Sequence, residues 1–322
     1  MKYILPFLAC LLAGCQTGDR GTYPYRPITL VVPWSAGGGT DTGARALAAV
    51  LPDILGQPVT VVNRTGGGGV VGHLAVAQAT PDGYTIGAVT GDITMMHWVG
   101  LTDLTPADFA PIALLMINPS AISVRADAPW DSLEELLESL RTEPGAYLAS
   151  GTSRGGIWDL ARIGFLEFAG LPESALPWVP SQGAAPALQE LLSGGVSVVT
   201  VALAETDALR RAGRVKVLAV MADERLAVAP EVPTLKELGI DWSIGGWVTV
   251  GAPKNTPEPV LETLRSAVRT AMQDSAFRTP LQNAAFNLQH LYGEQLATFI
   301  EEQDQINGEL LTLAGLTRDG HQ

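Results

Sequence analysis

Residues 28–41 read Ile28-Thr29-Leu30-Val31-Val32-Pro33-Trp34-Ser35-Ala36-Gly37-Gly38-Gly39-Thr40-Asp41, and this stretch decides the fold class. Ile28 to Pro33 is an apolar run of strand length, and the glycine loop Ser35 to Asp41 follows it directly. Beyond the loop, Ala44, Leu47, Ala48 and Leu51 recur at helical spacing until Leu55-Gly56, where glycine ends the helix. A strand, a glycine turn and an amphipathic helix make one βα unit. A second unit follows: strand Val59 to Val62, glycine run Gly66 to Gly69 and helix His73 to Ala79. Pro81-Asp82-Gly83 then turns into the strand Tyr84 to Val89. Consecutive βα units predict an α/β fold with a doubly wound start.

The middle of the chain repeats the scheme. Strands are expected at Ala121 to Val124, Tyr147 to Ser150, Trp178-Val179, Val196 to Val201 and Val215 to Ala222. Helices are expected over Ser132 to Arg141 and from near Gly156. A Pro- and Gly-punctuated passage, Pro230 to Gly246, precedes the strand Trp247 to Gly251, and mostly helices follow, at Pro257 to Asp274 and Gly293 to Ala314. Length favours two domains. The economical arrangement is two α/β lobes with a ligand cleft between them: residues 24–124 plus 248–322, including the C-terminal helices, and residues 125–247.

Composition narrows the function. The chain of 322 residues is 47% hydrophobic, which excludes disorder, and its 33 acidic against 20 basic residues give a net charge of −13. Such a surface repels a phosphate backbone, so nucleic acid is not an expected partner. Both cysteines, Cys10 and Cys15, lie in the first fifteen residues, leaving no thiol in the body for a disulfide, a metal cluster or a nucleophile. Lys2 and the apolar run Tyr3 to Ala13 read as an export leader too short to span a bilayer, and Leu12-Ala13-Gly14-Cys15 resembles a bacterial lipobox. Residues 1–14 are therefore expected to be a lipoprotein signal peptide, Cys15 the lipidated N-terminus outside the cytoplasmic membrane, and residues 15–23 a linker.

Two motifs invite an enzyme reading. Gly67-x-Gly69-x-x-Gly72, with Asp92 twenty residues on, matches a dinucleotide fingerprint, but exported proteins meet no pool of soluble nicotinamide cofactor. Gly151-Thr152-Ser153-Arg154-Gly155 matches G-x-S-x-G between a strand and a helix, and Asp241 and His290 preserve the chain order of an α/β-hydrolase triad. An exported serine hydrolase using Ser153 is the alternative function. The same glycines equally suit a helix start that presents amides to an anion. The four histidines are scattered, and no metal site is expected.

The glycine loops share a position. Ser35 to Asp41, Thr90 to Asp92, Ser150 to Gly156 and Ser181 to Ala184 all follow expected strands, where open α/β sheets bind ligands. Gly, Ser and Thr at helix starts offer free N–H groups, hydroxyls and the positive end of the helix dipole, which suit a carboxylate.

From about Tyr23 to Glu302 the chain resembles the substrate-binding proteins of tripartite tricarboxylate transporters, also called Bug receptors. The resemblance is carried by Tyr23-Pro24-x-Arg26-Pro27-Ile28, Val32-Pro33-Trp34 with Gly37-Gly38-x-x-Asp41, and Asn63-Arg64 with Gly66-x-Gly68-Gly69-x-x-Gly72. Pro81-Asp82-Gly83-Tyr84, Asp108-Phe109-Ala110-Pro111, Pro180 with Gly183-x-x-Pro186-Ala187-Leu188, and Pro230-x-Val232-Pro233-Thr234 add to it. It implies a two-lobed periplasmic-binding-protein-like fold (type II), working as a monomer without cofactor or chemistry. Such a receptor closes on a small organic acid, a mono- or dicarboxylate, and delivers it to membrane permease subunits. Carried over position by position, the ligand-binding residues are Trp34, Ser35, Gly37, Gly38, Gly39 and Asp41 in the first loop. Thr90 and Gly91 follow the third strand, and the second lobe gives Ser150, Thr152, Ser153, Gly155, Gly156, Gly183 and Ala184.

Departures from the family bear on the ligand. Ala36 stands where many members have Pro, and Asp159 where a His is common. Val201 and Ala202 replace frequent Asp and Asn, so that wall of the cleft is expected to be less polar. Trp34, Trp158, Trp178 and Trp247 lie beside the loops, either sandwiching an apolar or aromatic ligand body or serving in the core. Arg154 is a candidate partner for a second carboxylate, or an exposed cation on a solvated turn.

Overall fold

Alternation along the first strand separates two cores. In the computed structural model, which describes residues 22–318, β1 (Ile28–Val32) sends Leu30 and Val32 into one apolar cluster and Val31 into another on the opposite face. It pairs in parallel with β2 (Val59–Asn63) and β3 (Thr85–Thr90). The edge strand β4 (Phe109–Pro119) completes this lobe on the outward pass, and at Ser120 the chain leaves for a second sheet.

That sheet holds β5 (Ala121–Arg125), β6 (Ala149–Ser150), β7 (Trp178–Val179), β8 (Val198–Val199) and β9 (Val215–Val220) in the order β7-β6-β8-β5-β9. The chain then returns as β10 (Gly245–Pro253), antiparallel between β3 and β4, giving the first sheet the order β2-β1-β3-β10-β4. The eleven-residue β4 is absent from the strand pattern expected from sequence. It is buried on both faces, which erases alternation, and Pro111 interrupts it. Proline is accommodated because β4 is an edge strand and its register with β10 shifts beside Pro111.

Ten helices cover the sheets among the described residues. In the first lobe α1 (Gly39–Leu55) packs Leu47 and Leu51 against Leu264 and Val268 of α8 (Glu258–Gln273) and Phe277 of α9 (Ser275–Asn283). It ends at Gly56, whose φ of 67° is open to glycine without strain. The opposite face is covered by α2 (Val70–Ala77) and α3 (Ile93–Met96). In the second lobe α4 (Leu133–Thr142) is capped by Ser132, whose side chain accepts from the Glu135 N–H at 3.2 Å. Its Leu133, Leu136, Leu137 and Leu140 are buried, each contributing on the order of 2 kcal/mol. Around it stand α5 (Ile157–Phe168), α6 (Ala184–Ser193) and α7 (Leu203–Arg211).

The last helix, α10 (Gly293–Leu313), joins both lobes. Leu296 and Ile300 pack with Val31 and Trp247 of the first lobe, whereas Leu311 belongs to the second lobe's cluster. Among the described residues no helix is long and apolar enough to cross a membrane. The expected signal peptide, the lipidated Cys15 and nearly all of the linker lie outside the described residues.

Candidate functional site

One loop on each side of the cleft is braced in the same way. Asp41, in the first turn of α1, folds back to accept the Gly37 N–H at 2.9 Å, and Asp159, in the first turn of α5, accepts the Gly155 N–H at 2.8 Å. Each carboxylate has an arginine on its own helix, Arg45 at 2.9 Å and Arg162 at 2.6 Å. Burial pushes the Asp41 carboxyl up, but hydrogen bonds from Arg45, Gly37 and Asn63 outweigh it and hold the group below its ordinary range. Asp159 is more deeply enclosed, and burial wins: its carboxyl is raised despite Arg162. Asn63 donates to Trp34 O and to Asp41 Oδ1, both at 2.9 Å, tying β2 to the first loop.

A third loop is set by His73. Its Nε2 accepts the Thr90 N–H at 3.2 Å, which makes Nδ1 the protonated nitrogen, and that N–H donates to Gly69 O at 2.9 Å. The imidazole is neutral and fully buried, and burial lowers its pKa to about 4. Thr90 then donates its hydroxyl to Asp92 Oδ2 at 2.9 Å and receives the Trp34 Nε1–H at 3.2 Å.

These loops converge on one narrow cavity between the lobes. From the first lobe it is lined by Trp34, Ser35, Gly38, Gly39 and Thr40, then by Thr90, Gly91 and Asp92. The second lobe adds Thr152, Ile157, Trp158, Gly183, Ala184, Ala202 and Glu205. Asn118 and the stretch Gly246 to Val248, where the chain passes between the lobes, close it. Gly246 permits the Trp158 ring to approach the strand closely, since a Cβ there would meet that ring at 2.7 Å. Of the four tryptophans singled out in the sequence, Trp34, Trp158 and Trp247 wall the cavity, and Trp178 is packed in the second lobe's core.

Hydrogen bonds cross this cavity directly. Ser35 donates both N–H and Oγ–H to Gln182 O, at 3.2 and 3.0 Å, and the Ile157 N–H reaches Asp92 Oδ1 at 3.2 Å. Glu205 accepts the Gly39 N–H at 2.8 Å through Oε1 and the Ala202 N–H at 3.2 Å through Oε2. Burial drives its carboxyl up to about 7, against the lowering effect of the two amides, and Asp92 pushes it the same way. Burial likewise raises Asp92.

Several expected site residues stand back from the cavity. Gly37 and Asp41 brace the first loop, and Ser150 donates its hydroxyl to Val179 O at 2.7 Å. Gly155 and Gly156 shape the start of α5, and Arg154 points outward to Glu173 at 3.0 Å, more than half exposed. Ser153 lies against Gly68 of the other lobe. Asp241 is exposed and paired with Lys236, and His290 is exposed, so the triad suggested by chain order is not assembled. Asp92, the acid of the apparent dinucleotide fingerprint, is enclosed between Thr90 and Ile157.

The less polar wall expected at Val201 and Ala202 is corrected by Glu205, three residues on, which places a carboxylate at that wall. The missed signal was a glutamate at the third position of a helix whose N-cap, Ala202, has no polar side chain of its own.

The geometry of two sheets joined by crossing strands and closing on one cavity matches known proteins. Residues 43–316 match the family model of the tripartite tricarboxylate transporter family receptor. The chain belongs to that family. A UPF0065 protein of Bordetella pertussis is 33% identical over 309 residues, covering 95% of each chain. The periplasmic binding protein BugD superimposes with a TM-score of 0.86 at 30% identity, over 92% of this chain and 99% of its own. MatC from Rhodopseudomonas palustris, solved with bound malate, gives a TM-score of 0.82 at 29% identity, over 90% of this chain and 100% of its own. This receptor is therefore a periplasmic solute-binding protein with the two-lobed α/β fold of its relatives.

Proposed function

We propose that this receptor captures a small organic carboxylate between its lobes and hands it to the membrane permease subunits of a tripartite transporter, acting as a monomer tethered through lipid on Cys15. The observation that carries the reading is the convergence of the α1, α5 and α6 starts, from opposite lobes, on one cavity. A ligand touching both sides stabilises the closed arrangement over the open one by its differential contacts, so no covalent step is needed. Malate bound by MatC, a relative of the same fold, supports a carboxylate as cargo.

Within this reading the contacting residues are Trp34, Ser35, Gly38, Gly39, Thr90, Gly91, Thr152, Gly183 and Ala184, with Asp41 and Asp159 holding their loops in place. Thermal shift across mono-, di- and tricarboxylates tests it, because a specific ligand raises the melting temperature by mass action. Gly38 has an ordinary φ of −79°, and a Cβ there would make only ordinary van der Waals contacts, with Ser35 O at 3.6 Å and Glu205 Oε1 at 3.8 Å. Gly38→Leu is therefore expected to keep the fold, fill the cavity and abolish the shift. A flat response to every acid in the wild-type protein counts against the reading. The tether is checked by Cys15→Ser, which should move the protein from the membrane fraction to the soluble one.

A further inference from the structure

A second and larger cavity lies in the first lobe, outside the cleft. It has a volume of about 520 Å³ between one face of the first sheet and α10, and Trp247 is the one residue common to its walls and those of the cleft. Close-packed interiors hold few voids larger than a water molecule, so a space of this size is a pocket and not a packing defect.

The sequence accounts for it. Trp247, Thr249 and Gly251 alternate along β10 and line the space from one face of the sheet, with no side chain at the end of the row. On α10 the lining residues Ala297, Ile300, Glu301 and Asp304 are spaced i, i+3, i+4 and i+7, the spacing of a helix face that packs on a sheet. The first of them is small, and the last two are acidic where an ordinary helix–sheet layer is apolar. Val89, Ile93, Phe109, Trp247 and Ile300 are buried and make the inner wall, whereas Glu301 is exposed and marks the open side. None of the lining residues is Lys, Arg or His. Asp304 Oδ1 is buried without a hydrogen bond, 3.4 Å from His97 Nε2. A buried acceptor left unpaired is a cost that a donor on a ligand removes.

We propose that this cavity is a second ligand site, separate from the cleft, for an organic cation with an apolar or aromatic body. The body fills the space between β10 and α10, and its ammonium group donates to Asp304 and Glu301. A neutral compound of the same shape keeps the apolar contact and loses the ion pairs, and a carboxylate faces two like charges.

Calorimetric titration with three probes that share a naphthalene body, 2-naphthylmethylamine, 2-naphthylmethanol and 2-naphthoate, decides it at about pH 7.5, where the amine is charged. Wild-type protein and Gly38→Leu, whose cleft is filled, should bind the amine equally well. In Gly38→Leu the amine should bind about 5- to 20-fold tighter than the alcohol, as one or two partly exposed ion pairs imply, and the naphthoate should bind weakest. Ala297→Trp fills the space from a partly exposed position of α10 and should abolish amine binding. Glu301→Lys changes an exposed side chain, so it keeps the fold should Ala297→Trp not, and it should cancel or reverse the preference for the amine over the alcohol. Absence of amine binding overturns the site, as does loss of that binding in Gly38→Leu. Alcohol or naphthoate binding in Gly38→Leu as tight as the amine's also overturns it, and so does a preference for the amine that survives Glu301→Lys. The receptor reading stands on the cleft and is untouched by any of these failures.

Discussion

A single buried imidazole illustrates how one residue sets the site's working range. His73 holds the Thr90 loop only in its neutral form, because Nε2 must accept a hydrogen bond. Its folded pKa of about 4 lies below the ordinary value of 6.5, so the unfolded chain takes up a proton first as pH falls. The contribution is intact above pH 6.5 and is lost as pH drops from there through 4, to a total of about 3 kcal/mol. Urea unfolding between those limits should show this decline, with a shallower slope in His73→Gln. His73 was read from sequence only as a helix position and a scattered histidine, because its role depends on Thr90, seventeen residues away on the next strand.

At the scale of the element, α1 and α5 use the same brace at different cost. Arg162 and Asp159 are both fully enclosed, and Arg162 also donates to Glu173 Oε1 at 2.9 Å and Leu176 O at 2.9 Å. Arg162→Leu leaves Asp159 buried without its cation, and is expected to lower unfolding free energy by about 3–5 kcal/mol. Arg45 is half in water. Arg45→Leu should therefore cost about 1 kcal/mol or less. Chemical denaturation of the two variants checks the contrast, and equal losses would contradict it. The glycine loops and helix starts were legible in the sequence because they depend on local spacing. Glu205 was not, because the amide it accepts from, Gly39, is 166 residues distant and in the other lobe.

In the whole molecule, Glu205 makes closure sensitive to pH. Enclosed between the lobes its pKa is about 7, whereas in water it would be near 4.5, so closing takes up a proton between those values. Asp92, also raised by burial, acts in the same direction. The contribution of this proton uptake to closure of the ligand-free receptor is thus full at low pH and is lost as pH rises through 7. Small-angle scattering should give a smaller radius of gyration at about pH 5.5 than at about pH 8, and Glu205→Gln should reduce the difference. An unchanged radius in the wild-type protein would rule out this coupling.

The sequence by itself determined the α/β class, the strand-loop-helix starts and the family, since apolar periodicity and glycine punctuation act over a few residues. It read the edge strand β4 poorly, because a strand buried on both faces carries no alternation. Which loop residues reach the cavity, and what charge they bring, was decided only by tertiary structure. Arg154 faces outward to Glu173, Trp178 sinks into a core, and two acids distant in the chain line one cavity from opposite lobes. Burial and Coulomb interaction depend on distance in space, and in this fold that distance is set by how the two sheets close on each other.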